Sequence, residues 1–248
     1  NACTGFALSL VVEHLLRKCG REPEAAISPY MLYSMARRYD EFPGDGDEGS
    51  SLRGALKGWH KHGACAETLW KTGLKMPPTP KSAQQDWWLD AVKRPLGAYY
   101  RIDRKQITDI HAAINEVGIV YASIDTHAGW DAGDKVKERP APHSFKDKIF
   151  EIPADGGGGG GHAIALVGYN ERGFLLQNSW GPQWGSHGFA ILSYDDWLEN
   201  AMDCWVAQMG VVTSEHCDIS ANVTLRTNGR GRVSLSSNDI LRNREIAP

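Results

Sequence analysis

The spacing of apolar residues changes part-way along this chain, and that change constrains the fold more than any other feature of the sequence. In the first half, apolar residues recur at helical spacing over residues 3–18, 28–39, 52–62 and 107–117. Later apolar runs are short and rich in β-branched residues, as strands are, near residues 118–124, 162–169, 173–178 and 188–194. Helices followed by strands predict an α+β protein in which a helical lobe faces a sheet lobe, with a cleft between them.

Length and composition are those of a soluble globular protein. The 248 residues suffice for one large domain or for two lobes that share a core. Hydrophobic residues make up 42% and charged residues 23% of the chain, which is ordinary for that class. The net charge of −3 gives no reason to expect nucleic acid or an anionic membrane as a partner, and no apolar run approaches the ~20 residues that span a bilayer. The compartment, cytoplasmic or secreted, stays open.

The cysteine count is odd, which limits how the thiols can be used. The five cysteines are Cys3, Cys19, Cys65, Cys204 and Cys217. If Cys3 is reactive, the other four can form at most two disulfides, and we expect them instead to be free and buried. No Cys-x-x-Cys and no close Cys/His pair has the spacing of a zinc site, so the sequence predicts neither a metal site nor a cofactor.

Three residues occur in the order that catalysis by a thiol nucleophile requires. Cys3 begins the first predicted helix, where the helix dipole stabilises a thiolate and the Cys3 backbone N–H can meet a developing oxyanion. His162 lies between glycines and a predicted strand, where its imidazole can face the cleft and take the thiol proton. Asn178 ends another strand just before Trp180; its carboxamide can fix the imidazole tautomer while the indole covers that bond.

Each of these residues also has an ordinary structural explanation. Cys3 alone fits a core cysteine, and His162, one of nine histidines, fits a buried histidine with satisfied hydrogen bonds. Asn178 fits a turn asparagine that precedes a core tryptophan. The functional interpretation is favoured because all three occur in the required order, each with suitable neighbours.

The segments around these residues resemble the papain-like cysteine peptidases. The match rests on Asn178-Ser179-Trp180-Gly181 with Trp184-Gly185, on Gly161-His162-Ala163, and on Cys3 followed by Phe6-Ala7. Thr4 stands where an aromatic residue is common in the family, and Gly5 stands where alanine is. The stretch Asp47-Glu48-Gly49-Ser50-Ser51-Leu52 is similar to the family's substrate-binding strand. The resemblance covers about residues 1–212.

The resemblance implies a fold, a reaction and a set of roles. The fold is the papain-like one, a helical lobe at about 1–105 facing an antiparallel sheet or barrel lobe at about 106–217, with residues 218–248 as an extension. The reaction is peptide-bond hydrolysis, as an endopeptidase or exopeptidase, with Cys3 as nucleophile, His162 as base and then acid, and Asn178 orienting His162. Gly49 and Ser50 would bind the substrate backbone as an added strand, and Gly161 and Trp180 would also line the substrate site. The partners implied are a peptide or protein substrate and an upstream propeptide or other domains.

Two departures from the family pattern bear on activity and on the branch of the family. The family supplies a second oxyanion donor, a glutamine shortly before the nucleophile, and this sequence starts only two residues before Cys3. We expect that the preceding segment was cleaved, is disordered or was not included in the sequence. The family's disulfide cysteines are absent, and the form Gly49-Ser50-Ser51 is more similar to bacterial or archaeal branches.

Two alternative functions stay open at this level. An acyl transferase or ligase on the same scaffold would pass the thioester to an amine instead of water. A catalytically impaired module would keep the cleft only to bind peptides or proteins.

Several segments lie outside these motifs. Residues 126–154 carry many charges and prolines and predict a long surface loop. The six glycines at 156–161 cost much backbone entropy to order, so we expect a mobile loop with only the last two glycines ordered beside His162. Residues 222–236 predict a β-hairpin that turns at Asn228-Gly229. The tryptophans at 59, 70, 87, 88 and 130 are expected to serve mainly in core packing.

Overall fold

The structure is a computed structural model that describes residues 1–42, 46–78, 82, 85–136, 149–155 and 158–210, and the backbone of strands at 224–226 and 232–234. Its elements are, in chain order, α1 (Cys3–Lys18), α2 (Pro29–Tyr39), α3 (Leu52–His62), α4 (Trp87–Ala91), β1 (Leu96–Arg101), α5 (Ile107–Val117), β2 (Val120–Thr126), a 3₁₀ helix (Ala128–Lys135), β3 (Gly160–Tyr169), β4 (Gly173–Gln177), β5 (Phe189–Ser193), α6 (Tyr194–Asn200), β6 (Ala201–Met209), β7 (Thr224–Arg226) and β8 (Arg232–Ser234). The four helices predicted from apolar spacing are all present.

Serine caps explain where two of the helices begin. The Ser28 hydroxyl accepts from the backbone N–H of Met31 at 3.0 Å, and Pro29 occupies the first helical position of α2. At the start of α3, the Ser51 hydroxyl accepts from the N–H of Gly54 at the same distance. Each cap satisfies a backbone donor that has no partner inside its helix. The α3 cap also fixes where the predicted substrate strand ends and the helix starts.

The main sheet has six strands in the order β1-β6-β2-β3-β4-β5, and every neighbouring pair is antiparallel. It is open, with β1 and β5 at its edges, so of the two forms expected, sheet or barrel, the protein has the sheet. Strands β2 and β3 are central and pair with Ile124 opposite His162. The candidate catalytic histidine therefore starts from a rigid central position.

Both faces of the sheet are buried. The side chains of successive residues point to opposite sides, and helices pack against each side. On β3, Ala163 and Ala165 belong to the core that also contains the apolar faces of α1, α2 and α3. Ile164 and Leu166 point the other way, into a second core with residues of α5 and α6. The small alanines leave room for α1 to pack against the sheet, next to the site.

Three parts of the described chain differ from expectation. Strand β1 pairs with β6, so the sheet begins before residue 106, inside the range expected for the helical lobe. Buried and exposed residues do not alternate along β1, because only Leu96 is fully buried. The predicted loop at 126–154 contains the 3₁₀ helix, which buries Trp130 in the second core. A further strand, β6, follows β5 and the short helix α6 and occupies residues 201–209, where the apolar pattern predicts no strand.

The C-terminal hairpin is present as the antiparallel pair β7 and β8, with Leu225 opposite Val233. Its predicted turn at Asn228-Gly229 lies outside the described residues. Of the five tryptophans, Trp59, Trp70, Trp87 and Trp88 are buried in the first core, in agreement with a packing role.

Candidate active site

Cys3 occupies the first turn of α1, where the backbone N–H groups have no partner within the helix. Its side chain is half-buried and packs against the first core. The buried Tyr121 hydroxyl on β2 donates to the carbonyl oxygen of Thr4 at 2.7 Å and ties the start of the helix to the sheet. Burial raises the pKa of Tyr121, and the nearby Cys3 adds to the shift, so this phenol stays a donor. Cys3 is thereby held at a fixed place on the sheet.

Close packing of α1 on α2 explains why residue 5 is glycine here, where the family commonly has alanine. A Cβ built on Gly5 would lie 2.1 Å from the carbonyl oxygen of Pro29 and 2.8 Å from the Cβ of Tyr33. No side chain fits without moving the two helices apart. Gly5 therefore sets the distance between the helix that carries Cys3 and the helix that carries Tyr33.

His162 and Asn178 are joined by a buried hydrogen bond. Nε2 of His162 lies 2.8 Å from Oδ1 of Asn178, and the two residues are 7% and 6% exposed. The same Oδ1 accepts from the backbone N–H of Ser179 at 2.8 Å, which fixes the amide with its oxygen toward the imidazole. Nε2 must therefore carry the proton in this bond, which leaves Nδ1 to exchange a proton with a thiol.

Aromatic rings cover this hydrogen bond. The Trp180 ring lies 4.9 Å from the His162 ring, and the Trp130 ring meets His162 edge-on at 5.9 Å. Trp184 stacks on Trp130 at 5.8 Å and donates from Nε1 to the Trp130 carbonyl oxygen at 3.0 Å. Burial lowers the pKa of His162, and the bond to Asn178 only partly opposes it. An imidazolium here consequently needs a negative partner, which a thiolate would supply.

Cys3 and His162 both line one cavity of about 390 Å³. The helical side contributes Thr4, Ser50 and Leu52, and the sheet side contributes Ser123, Ala163 and Met202. Gly161 also lines the cavity. Trp180 does not line the cavity; it is 44% exposed and lies over His162 instead. The structure thus brings together Cys3, His162, Asn178, Gly49, Ser50 and Gly161, with Trp180 as a cover.

The backbone groups of Gly49 are already bonded within the protein. Its N–H donates to the Tyr33 hydroxyl at 3.1 Å, and its carbonyl oxygen accepts from Nη1 of Arg37 at 2.9 Å. Gly49 lines the cavity with φ of +89°, and each of its backbone groups already has one partner within the protein. Among the described residues the backbone of Ser50 has no such partner, so Ser50 is the better candidate of the two for backbone pairing.

Tyr33 holds this loop in place, a role that local sequence patterns do not indicate. Its hydroxyl donates to Oδ1 of Asp47 at 2.6 Å while accepting from Gly49. Burial and the bond to Asp47 raise the pKa of Tyr33 to about 12, so it remains a donor at any physiological pH. The Thr4 and Ser50 hydroxyls, 2.6 Å apart, join the loop to the turn that bears Cys3. These contacts link residues far apart in the chain, which sequence spacing does not reveal.

The remaining described cysteines are free thiols. Cys65 and Cys204 are buried, and burial raises the pKa of both. Cys19 is exposed, against the expectation of a buried thiol, because it follows the last turn of α1. Cys217 lies outside the described residues. Within the described ranges no group of three His, Cys, Asp or Glu side chains could hold a metal ion, and no helix is both long and apolar enough to cross a bilayer.

Residues 44–214 match the family model described as papain family cysteine protease. The chain belongs to this family. The matched range contains His162 and Asn178 and most of the cavity lining, while Cys3 lies before it. Membership agrees with the resemblance carried by the sequence motifs.

Individual relatives are distant. The chain is 26% identical over 181 residues to an uncharacterized peptidase C1-like protein of Acanthamoeba polyphaga mimivirus, a match that covers 66% of this chain and 53% of that protein. It is 44% identical over 45 residues to mexicain of Jacaratia mexicana, which covers 18% and 20% of the two chains. The match thus spans about half of the length of the viral relative and a smaller part of mexicain.

Solved structures show the same fold. Xylellain, a cysteine protease from Xylella fastidiosa, superposes with a TM-score of 0.66 at 23% identity, over 84% of this chain and 79% of that chain. The bromelain protease from Ananas comosus superposes with a TM-score of 0.56 at 16% identity, over 84% and 88%. The arrangement of helices and open sheet is therefore the papain-like one.

Proposed function

We propose that this protein hydrolyses peptide bonds through a thioester, with Cys3 as nucleophile, His162 as base and then acid, and Asn178 as the residue that orients His162. The observation that carries the proposal is the 2.8 Å bond from His162 to Asn178, combined with a single cavity lined by both Cys3 and His162. Membership of the papain family supports the same reaction.

The proton transfers that the reaction requires fit this arrangement. His162 takes the thiol proton at Nδ1, and the thiolate attacks the peptide carbonyl carbon to form a tetrahedral intermediate. The N–H of Cys3, at the positive end of α1, stabilises the oxyanion. His162 then gives its proton to the leaving amine, and water, deprotonated by His162, releases the acyl group from sulfur.

Substrate is proposed to pair with the backbone of Ser50 as an added strand. Ser50 lines the cavity, and its hydroxyl contacts Thr4, the residue next to the nucleophile. Backbone pairing there would align the scissile carbonyl with Cys3 whatever the side chains of the substrate. Side-chain preference would then come from the cavity surface of Leu52, Ser123 and Met202.

The test is turnover of fluorogenic peptides by the Cys3→Ala variant. We expect a loss of kcat on the order of 10³-fold or more, because the nucleophile is removed. Circular dichroism should show an unchanged fold, since Cys3 is only half-buried. Cys19→Ala is the matched control because it removes an exposed free thiol at the opposite end of the same helix, and it should keep full activity. Activity retained by Cys3→Ala would refute the assignment.

Product analysis separates hydrolysis from acyl transfer. With an added amine nucleophile, mass spectrometry should find the free acid as the main product of the wild-type protein. A predominance of amide product would indicate the transferase alternative on the same triad.

A further inference from the structure

The described part of the glycine run before His162, residues 158–161, is bound to β2 by one carboxylate. Oδ1 of Asp125 accepts from the backbone N–H of Gly160 at 2.9 Å, and Oδ2 accepts from the N–H of Gly158 at 3.2 Å. The neighbouring Thr126 adds two bonds: its carbonyl oxygen accepts from the Gly159 N–H at 2.7 Å, and its hydroxyl donates to the Gly160 carbonyl oxygen at 3.1 Å. Four glycines are therefore placed, more than the two expected.

The docked geometry requires glycine at successive positions. Gly158 and Gly160 have φ of +110° and +101°, a region that other residues rarely adopt. This backbone lets two N–H groups, two residues apart, reach the same carboxylate. A Cβ on Gly159 would lie 2.8 Å from the carbonyl oxygen and the hydroxyl of Thr126. The described glycines thus have the backbone conformation and the lack of side chains that binding to Asp125 and Thr126 requires.

The glycines bound by Asp125 and Thr126 continue directly into β3, the strand that carries the candidate base His162. Gly160 and Gly161 pair with Thr126 and Asp125, and His162 is the next residue, paired with Ile124. Without these bonds to Asp125 and Thr126, four glycines would precede His162 with the largest backbone freedom of any residue type. That freedom would extend to the first pairs of β3 and to the imidazole, because strand ends fray when their flanking bonds are lost.

We propose that Asp125 is a positioning residue for His162, acting through the glycine run. The carboxylate fixes the run, the run fixes the start of β3, and β3 fixes the imidazole relative to Cys3. The inference rests on the proposed function, since it assigns Asp125 a part in the same reaction. Asp125 does not line the cavity, so no direct contact with substrate is invoked.

The first experiment compares Asp125→Ala with Asp125→Asn in the full chain. We expect Asp125→Ala to lower kcat by between about tenfold and a hundredfold, the cost of misplacing a catalytic group by a fraction of an ångström to an ångström, with little change in KM. Asparagine keeps an oxygen that can accept from Gly160, so it should recover most of kcat. An equal fall in both variants, or a change in KM alone, would overturn the proposal.

The second experiment substitutes the run itself. Gly160→Ala forces alanine into a positive φ where no atom lies within 4 Å, so its effect is conformational. Gly73→Ala is the matched control, because Gly73 also has positive φ, +78°, with open space around it, and lies far from the site in the chain. Both variants should lose some thermal stability, but only Gly160→Ala should lose kcat. Equal kcat in the two variants would contradict the docking role.

The double variant Asp125→Ala with Gly160→Ala tests whether both act through one device. Residues that act as a unit lose activity non-additively, so the double variant should be little slower than the slower single one. Multiplication of the two losses would mean that Asp125 and the run act separately, which contradicts the proposal.

A readout that does not need peptidase activity separates this inference from the proposed function. Iodoacetamide alkylation of each cysteine is followed by mass spectrometry at about pH 5.5, where an unassisted thiol is mostly protonated. Asp125→Ala should slow Cys3 alkylation, while Cys19 in the same molecule should be unaffected. Rapid wild-type alkylation of Cys3 without peptide turnover would reject only the proposed function; unchanged alkylation in Asp125→Ala would reject the positioning role.

Discussion

At the residue scale, the candidate site depends on one amide that is oriented by two hydrogen bonds. Asn178 accepts at the same oxygen from His162 and from the N–H of Ser179, so its carboxamide cannot flip without losing both bonds. Its Nδ2 is buried without a partner among the described residues, an arrangement that costs stability. A residue kept in such a position is better explained by what it does for His162 than by what it contributes to folding.

Substitution of Asn178 by alanine tests that interpretation. The imidazole would lose its orienting acceptor, and we expect kcat to fall by about 10²-fold, as for a misplaced base. Thermal stability should fall modestly, because the Nε2–H of His162 and the N–H of Ser179 lose their acceptor while the unpartnered Nδ2 is removed. The surface variant Asn115→Ala, which breaks a bond to the Tyr169 hydroxyl, is the control and should keep kcat. A large loss of stability with kcat unchanged would make Asn178 a purely structural residue.

The sequence allowed the prediction of candidate catalytic residues but not of the residues that position them. Cys3, His162 and Asn178 stand in recognisable local motifs. Tyr33 and Asp125 act through bonds to residues that are distant in sequence or to backbone groups, and a single sequence carries no signal for either. The bonds of the Gly49 backbone to Tyr33 and Arg37 likewise become visible only in three dimensions.

At the element scale, helices with a clear apolar stripe were predictable, whereas sheet edges were not. The bounds of α3 and α5 follow from apolar spacing together with a capping serine or a terminal glycine. Strand β1 exposes most of its residues at the edge of the sheet, so it has no strict alternation. The order β1-β6-β2 joins strands from opposite ends of the domain, and pairing over such distances cannot be inferred from local pattern.

The 3₁₀ helix shows how a charged segment can hide a core element. Its aspartates and lysine are exposed, whereas Trp130 is buried, stacks on Trp184 and meets His162 edge-on. Gly133 is needed beneath Trp184, since a Cβ there would lie 2.3 Å from the indole nitrogen. A short helix rich in charge thus supplies part of the hydrophobic wall behind the candidate base.

At the scale of the whole molecule, histidines that are partly or fully buried should make stability depend on pH. Burial lowers the pKa of His14, His111 and His162 below the ordinary value of 6.5. The unfolded chain then binds more protons than the folded one below that value, so the free energy of unfolding falls as pH drops and is greatest above it. We expect a lower Tm at about pH 5.5 than at about pH 7.5.

His14→Gln provides the matching variant for this prediction. His14 packs against Gly118 and its Nε2 lies 3.3 Å from the carbonyl oxygen of Val117, a bond that a glutamine amide can imitate. The variant cannot take up a proton, so the difference in Tm between the two pH values should shrink. A difference that stays the same, or a Tm that rises on acidification, would show that this histidine does not couple folding to protons as described.

The proposed reaction requires that an acyl group passes through the sulfur of Cys3. The most direct measurement is the mass of the protein during turnover of a slowly hydrolysed peptide ester, with the modified residue located by peptide mapping after rapid acid quench. We expect a transient mass increase equal to the acyl group and confined to Cys3. In the His162→Gln variant, acylated by an activated ester, the same adduct should persist longer. Turnover with no adduct at Cys3, or an adduct at Cys19 or another side chain instead, would contradict the proposed reaction.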